Sequence, residues 1–242
     1  MEWFGELRDT FVLNFVEEQR WQYLVKGLGV TLSVTFFALL IGVVIGIACA
    51  TVRSAYDQNK ETMDRKSFLG RLFSFLNTVV EFYITIIRGT PVVLQLLIGY
   101  FVIFVSSTNM VFIASLVFGI NSGAYITEII RSGIMSIDGG QMEAGRSLGM
   151  GYIGTMRYII IPQAFKVVLP TLANEFIALL KETAVGGYIG LMDLTKAGDI
   201  IRGRTFTAFM PLIAVALIYL LLVLCFSWLT GLLEKKLRTS GC

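Results

Sequence analysis

Polar and charged side chains interrupt otherwise apolar stretches of this sequence, and their spacing limits what they could do. Asn121, Tyr125 and Glu128 follow one another at intervals of four and three, so a helix would stack them near one face. Asn174 and Lys181, like Glu175 and Glu182, are seven apart and nearly superpose on a second helix. A charge at mid-bilayer costs a few kcal/mol, so in lipid such groups face other helices or a cavity and often mark a pathway. Together these two faces offer an anionic group for an ammonium and donors for a carboxylate. A plainer role is open to the same residues: Glu128 pairing with Arg131, and Glu175 or Glu182 with Lys181, would fasten helices without touching a ligand.

Other chemistries are excluded by what is missing. The 242 residues contain no histidine and three cysteines, so nitrogen and sulfur metal sites and His-based acid–base catalysis cannot be built, and no metal site is expected. Cys49 and Cys225 lie inside apolar runs and Cys242 ends the chain, which reads as packing rather than a disulfide framework. No Gly-x-x-x-x-Gly-Lys-Ser/Thr phosphate cradle occurs, so the chain is not expected to bind ATP itself. A net charge of +3, with Lys and Arg at the ends of apolar runs, argues against nucleic acid as a partner and for a role in membrane topology.

The elements that must position these residues are membrane helices. With 55% hydrophobic and 15% charged residues, the chain calls for lipid as its solvent and for one membrane domain. A hydrocarbon core of about 30 Å takes about 20 residues of helix. Apolar runs at 28–51, 91–106, 110–131, 166–190 and 207–232 predict five spans, the fourth bent by Pro170 and unwound at Gly186-Gly187, whose freed N–H groups could hold a carboxylate. Arg53, Lys60, Arg65, Lys66, Arg71 and Arg88 gather between the first two spans, which places that loop in the cytoplasm, the amino terminus outside and the carboxyl terminus inside. Gly42 and Gly46 permit close helix packing. Residues 1–23 read as an amphipathic segment, uncleaved, with Trp3, Leu7, Phe11 and Phe15 on one face that could lie among headgroups; residues 233–242 read as a cytoplasmic tail.

The loop at 132–165 carries the most specific pattern. Glu143-Ala144-Gly145-Arg146-Ser147-Leu148-Gly149, then Arg157 to Phe165 with Pro162, reads as two short helices around a glycine bend, Pro162 starting the next helix. Glu143, Ala144, Gly149, Ile159 or Ile160, and Pro162 stand in the order of the cytoplasmic motif of permease subunits of ABC importers, with Gly145 in place of the second Ala and Ile161 in place of Leu. Arg88-Gly89-Thr90-Pro91, Ala124-Tyr125 with Glu128 and Arg131, Pro162-Gln163-Ala164-Phe165, Pro170, Asn174-Glu175 and Lys181 extend the likeness over residues 24–232 to the polar amino acid branch, although Lys181-Glu182-Thr183-Ala184-Val185 departs from its usual Lys-Asp-Thr-Ser-Leu.

That resemblance implies an all-α, polytopic type I importer fold in a bacterial inner membrane. It implies a chain that is no enzyme, but the pathway of an importer for polar or charged amino acids. Its implied partners are two ATP-binding cassette subunits that bind ATP and Mg, a second permease, identical or homologous, and an extracytoplasmic amino acid-binding protein. It assigns coupling to Glu143, Ala144, Gly149 and Pro162. The free amino acid would then meet Asn121, Tyr125, Glu128, Asn174, Glu175, Lys181 and Glu182. A self-sufficient ion-coupled carrier or channel is the alternative, and a membrane enzyme the remotest reading, since no nucleophile and base pair up.

Overall fold

The computed structural model describes residues 2–59 and 67–239, and every regular element among them is helical. Lys60, Arg65, Lys66 and Cys242 lie outside the described residues, as do the side chains of Trp3 and Arg238. In order, α1 is Glu2–Phe11, α2 Trp21–Asn59, α3 Phe68–Gly89, α4 Val92–Ile98, α5 Met110–Met135, α6 Gly140–Ser147, α7 Tyr152–Thr155, α8 Ile161–Glu182, α9 Leu194–Thr205 and α10 Phe209–Thr239. Five helical stretches among the described residues are long and apolar enough to cross a membrane: Trp21–Gln58, Phe68–Gly89, Met110–Met135, Tyr152–Ile189 and Phe209–Leu237. Leu217, Leu220, Leu221, Leu224 and Trp228 of α10 are exposed, as suits a helix whose solvent is hydrocarbon.

The number five stands, but the second span is not where the apolar run put it. Residues 91–106 form the shorter helix Val92–Ile103, and the helix long enough to cross is α3. Arg71, Asn77, Glu81 and Arg88 dilute the apolar character of α3, so the uninterrupted run beside it drew the assignment. Between the two, Thr90 is extended (φ −121°, ψ 144°), as a residue before proline must be. Arg88 therefore sits in the last turn of α3, remote along the helix from Arg71, and not in the charged loop.

Two compact units divide the chain. One comprises Met1–Ala38, Val92–Phe118 and Ile177–Trp228; the other Leu39–Pro91, Gly119–Phe176 and Leu229–Cys242. In the first, Phe15, Leu24, Leu194, Ala197, Ile201 and Val215 form an apolar core. Asn14 is fully buried beside it; its Oδ1 accepts from Thr207 Oγ1 at 2.7 Å and lies 2.9 Å from Thr205 Oγ1. After α1 the chain continues as a π-helical turn, Val12–Val16, and the rings of Phe11 and Phe15 lie 5.2 Å apart. Phe15 enters the core while Phe11 stays 51% exposed. Close to the same core, Leu194 N–H donates to Thr31 Oγ1 at 3.1 Å, and a Cβ on Gly27 would lie 2.6 Å from Asp193 O, so α2 and α9 pack nearly backbone to backbone.

The fourth span also departs from expectation. Helix α8 runs through Pro170 without ending, and beyond Glu182 the chain tightens into a 3₁₀ segment, Thr183–Ile189, closed by Gly190 at φ +83°. Gly186 and Gly187 thus have no unwound backbone; their carbonyls accept from Leu191 N and Gly190 N. In the second unit, Gly42 and Gly46 of α2 admit Ser122 and Ile126 of α5, and Tyr83 of α3 donates to Ile120 O at 2.6 Å. Arg53, mostly buried, reaches Asn77 Oδ1 at 3.3 Å and Glu81 at 3.4 Å, tying α2 to α3.

Candidate functional site

Helices α3, α5 and α8 line an open cavity of about 400 Å³ in the second unit, with Arg88, Ser132, Ser136 and Thr171 exposed at it. Tyr125, Glu128, Ser132 and Ser136 line it because intervals of three and four keep them on one stripe of α5. Gly133 brings α8 close: a Cβ there would lie 2.3 Å from Val168 Cγ2, and Thr171 of α8 completes that wall. Arg88 enters from the end of α3 with its guanidinium carbon 5.2 Å from the centre of the Tyr125 ring, a cation–π distance. No carboxylate lies within ion-pair range of Arg88 among the described residues. Arg131, in contrast, is held by Asp57 at 3.1 Å and by Glu128 Oε2 at 3.1 Å.

Of the pathway residues read from sequence, Tyr125 and Glu128 share this cavity. Glu128 makes the ion pair with Arg131 that the plainer reading anticipated, and Asp57 joins it. Glu175 is half-buried and accepts from Ser122 Oγ at 2.9 Å, beside the buried Asn121. Asn174 is exposed. Lys181, exposed, and Glu182, half-buried, belong to the other unit. Arg88, Ser132, Ser136 and Thr171 were missed. Arg88 could have been found from its position one residue before a Gly-Thr-Pro break, which marks a helix end rather than a loop.

The loop after α5 builds a second feature of the same unit. Asp138 Oδ1 accepts from Gly140 N–H at 2.7 Å at the start of α6, and Glu143 lies in the first turn, where the helix dipole favours a negative charge. Gly149 turns the chain at φ +79°, a conformation that costs a side chain, and Gly151 is extended before α7. Close approach falls at Gly145 rather than at Ala144 or Gly149: a Cβ on Gly145 would lie 2.5 Å from Thr155 Cγ2, so α6 and α7 interlock where the motif usually has alanine. Glu143, Ala144, Gly149 and Pro162, the second residue of α8, are all exposed. Leu148 and Ile153, at the two sides of the bend, are each 78% exposed. Behind them lies a cavity of about 370 Å³ lined by Asp138, Glu143, Arg146, Tyr152 and Gln58.

In the first unit several ionisable groups pair with one another. Asp199 receives Lys196 Nζ at 3.0 Å and Arg202 at 2.5 Å, and these partners, Arg202 first, hold its carboxyl below the usual range. Asp193 caps α9, accepting from Lys196 N–H at 2.6 Å; burial pushes its carboxyl up to about 6.

Comparison with known proteins gives a consistent picture. The family model described as "binding-protein-dependent transport system inner membrane component" matches residues 67–239. The arginine transport system permease protein of Bacillus subtilis is 33% identical over 221 residues, covering 90% of this chain and 94% of its own length. The glutamine transport system permease protein of Escherichia coli is 34% identical over 219 residues, covering 89% and 93%. A crystal structure of an amino acid ABC transporter with histidines matches with a TM-score of 0.79 at 40% identity, over 92% of this chain and 98% of that one.

Proposed function

We propose that this chain, which belongs to the family of inner membrane components of binding-protein-dependent transport systems, is the permease subunit through which an ATP-driven importer moves polar or charged amino acids. The relatives named for arginine and glutamine transport, each matched over nearly its full length, support that substrate class. The chain is a multi-pass membrane protein. Two ATP-binding cassette subunits, carrying ATP and Mg, would supply the energy; a second permease, identical or homologous, would complete the pathway; an extracytoplasmic binding protein would deliver the substrate.

Orientation follows from charge. With α3 as the second span, Lys60, Arg65 and Lys66 fall between the first two spans and Arg53 and Arg71 in the helix ends beside them, a gathering of positive charge that supports a cytoplasmic side there, with the amino terminus outside and the carboxyl terminus inside. The loop at 132–165 then faces the ATPases. The observation that carries the reading is the interlocked helix pair α6 and α7, with Glu143, Ala144, Gly149 and Pro162 outward and Leu148 and Ile153 projecting from its bend. Such a handle transmits a push from a partner because Gly145 against Thr155 leaves it little room to deform. Substrate would pass Asn121, Tyr125, Glu128, Asn174, Glu175, Lys181 and Glu182, the cavity at Tyr125 and Glu128 being the best formed part of the route.

The test is ATP hydrolysis and amino acid uptake by the chain reconstituted in liposomes with its ATPase and binding protein. Uptake that needs ATP and the binding protein is expected; equal uptake by the chain alone would point to a carrier instead.

A further inference from the structure

We infer that the cavity between Arg88 and Glu128 is a clamp for the zwitterionic end of an amino acid, Arg88 taking the carboxylate and Glu128 the ammonium. The inference rests on the transport reading and assigns the recognition to particular atoms. Among the described residues Arg88 is a cation committed only to the face of Tyr125, and a ring face holds a guanidinium in place without using up its hydrogen-bond donors. Glu128 is half committed. Both nitrogens that Arg131 presents to it, Nε at 3.3 Å and Nη2 at 3.1 Å, fall on Oε2, which leaves Oε1 for a donor. A guanidinium and a carboxylate oxygen lining one cavity of about 400 Å³, within the usual range for small-ligand sites, match opposite ends of a zwitterion.

Competing ligands fit less well. A lone anion such as phosphate would gain from Arg88 but meet the negative charge of Glu128. A simple amine would find Glu128 and leave the guanidinium without an anion. The rest of the lining, hydroxyls of Ser132, Ser136 and Thr171 with Ile129 and Val167, holds no further free charge, so side-chain identity is read weakly there. The clamp thus recognises what amino acids share, and discrimination among side chains falls to other parts of the importer.

The experiment is direct binding of radiolabelled glutamine and arginine, and of the decarboxylated amine of arginine, to the purified permease–ATPase complex without binding protein. The wild type should bind both amino acids and reject the amine. Arg88→Gln should weaken amino acid binding at least about tenfold, as expected for a lost charge-assisted pair, while Arg88→Lys, which keeps the charge over the ring, falls between. Unchanged amino acid binding in Arg88→Gln overturns the clamp. If Arg88→Gln does not assemble, the wild type and Arg88→Lys decide: wild-type binding of the amine as tight as that of arginine overturns the clamp. Failure of the wild type to bind either amino acid overturns the clamp alone, because ATP-dependent uptake with the binding protein tests the transport reading separately.

Discussion

Asn14 and Arg88 are both polar residues among apolar helices, and the two units of the molecule treat them in opposite ways. In the first unit Asn14 is fully buried and satisfied by Thr10, Thr205 and Thr207, while Asp199 is shared by Lys196 and Arg202. These contacts join partners within the unit, and what they achieve is a fixed fold. In the second unit Arg88 keeps an uncommitted guanidinium, Glu128 an uncommitted oxygen, and the bend between α6 and α7 leaves Leu148 and Ile153 in the open. Groups left unsatisfied by their own chain are positioned to be satisfied by something else. On the proposed reading, these first-unit contacts serve stability and the open groups of the second serve transport.

The largest test of that division reverses a charge on the handle. Glu143→Arg should leave the protein in the membrane and abolish ATP-coupled uptake, measured with the ATPase partner in liposomes, because an exposed residue in the first turn of α6 affects docking far more than folding. Normal uptake by that variant would remove coupling from this unit. A smaller effect comes from restoring the usual alanine. Gly145→Ala forces a methyl into Thr155 Cγ2 and should destabilise the loop by about 1–3 kcal/mol, read as faster protease cleavage between α6 and α7. Adding Thr155→Ala should recover much of the loss; if it does not, the interlock is not what holds the pair. In the first unit, Asn14→Leu should lower thermal stability by about 1–3 kcal/mol, since it removes a buried acceptor and leaves the hydroxyls of Thr205 and Thr207 only each other and the Ile201 carbonyl, yet leave uptake per folded molecule unchanged. A loss of uptake without a loss of stability would break the comparison from the other side.

These contrasts also explain what could be read from the residues alone. Long apolar helices such as α2, α5 and α10 announce themselves, and the bend at Gly149 follows from local chemistry, because glycine is needed wherever φ turns positive. Helix α3 was hidden because Arg53, Asn77 and Glu81 satisfy one another only after folding, and a sequence shows the polar residues without their partners. The spacing of Phe11 and Phe15 brings their rings to 5.2 Å of each other, but it did not announce the π-helical turn at Val12–Val16 or that Phe15 is buried while Phe11 is exposed. Asn14 meets Thr205 across 191 positions, and Arg88 meets Tyr125 across another stretch of chain; no spacing rule reaches that far.

The smallest effect is a pH dependence confined to the first unit. Asp193 is fully buried, one oxygen capping α9 and the other without a partner among the described residues. Its carboxyl titrates near 6 in the folded protein against an ordinary 3.8, because burial disfavours the charged form. The native state therefore holds this proton more tightly than the unfolded chain. Its contribution is fully present below pH 3.8 and is lost as pH rises through about 6. Lys196, whose N–H the cap binds, and Tyr219 face the same carboxylate, so other groups titrate nearby and only a difference between variants isolates Asp193. Asp193→Asn keeps an oxygen for the Lys196 N–H and removes the titration. Thermal unfolding in detergent should show the wild type losing stability relative to Asp193→Asn as pH rises from 3.8, the ordinary value, to about 6, the folded one. A difference that stays constant across that window would mean that the second oxygen is solvated and that burial does not hold this proton.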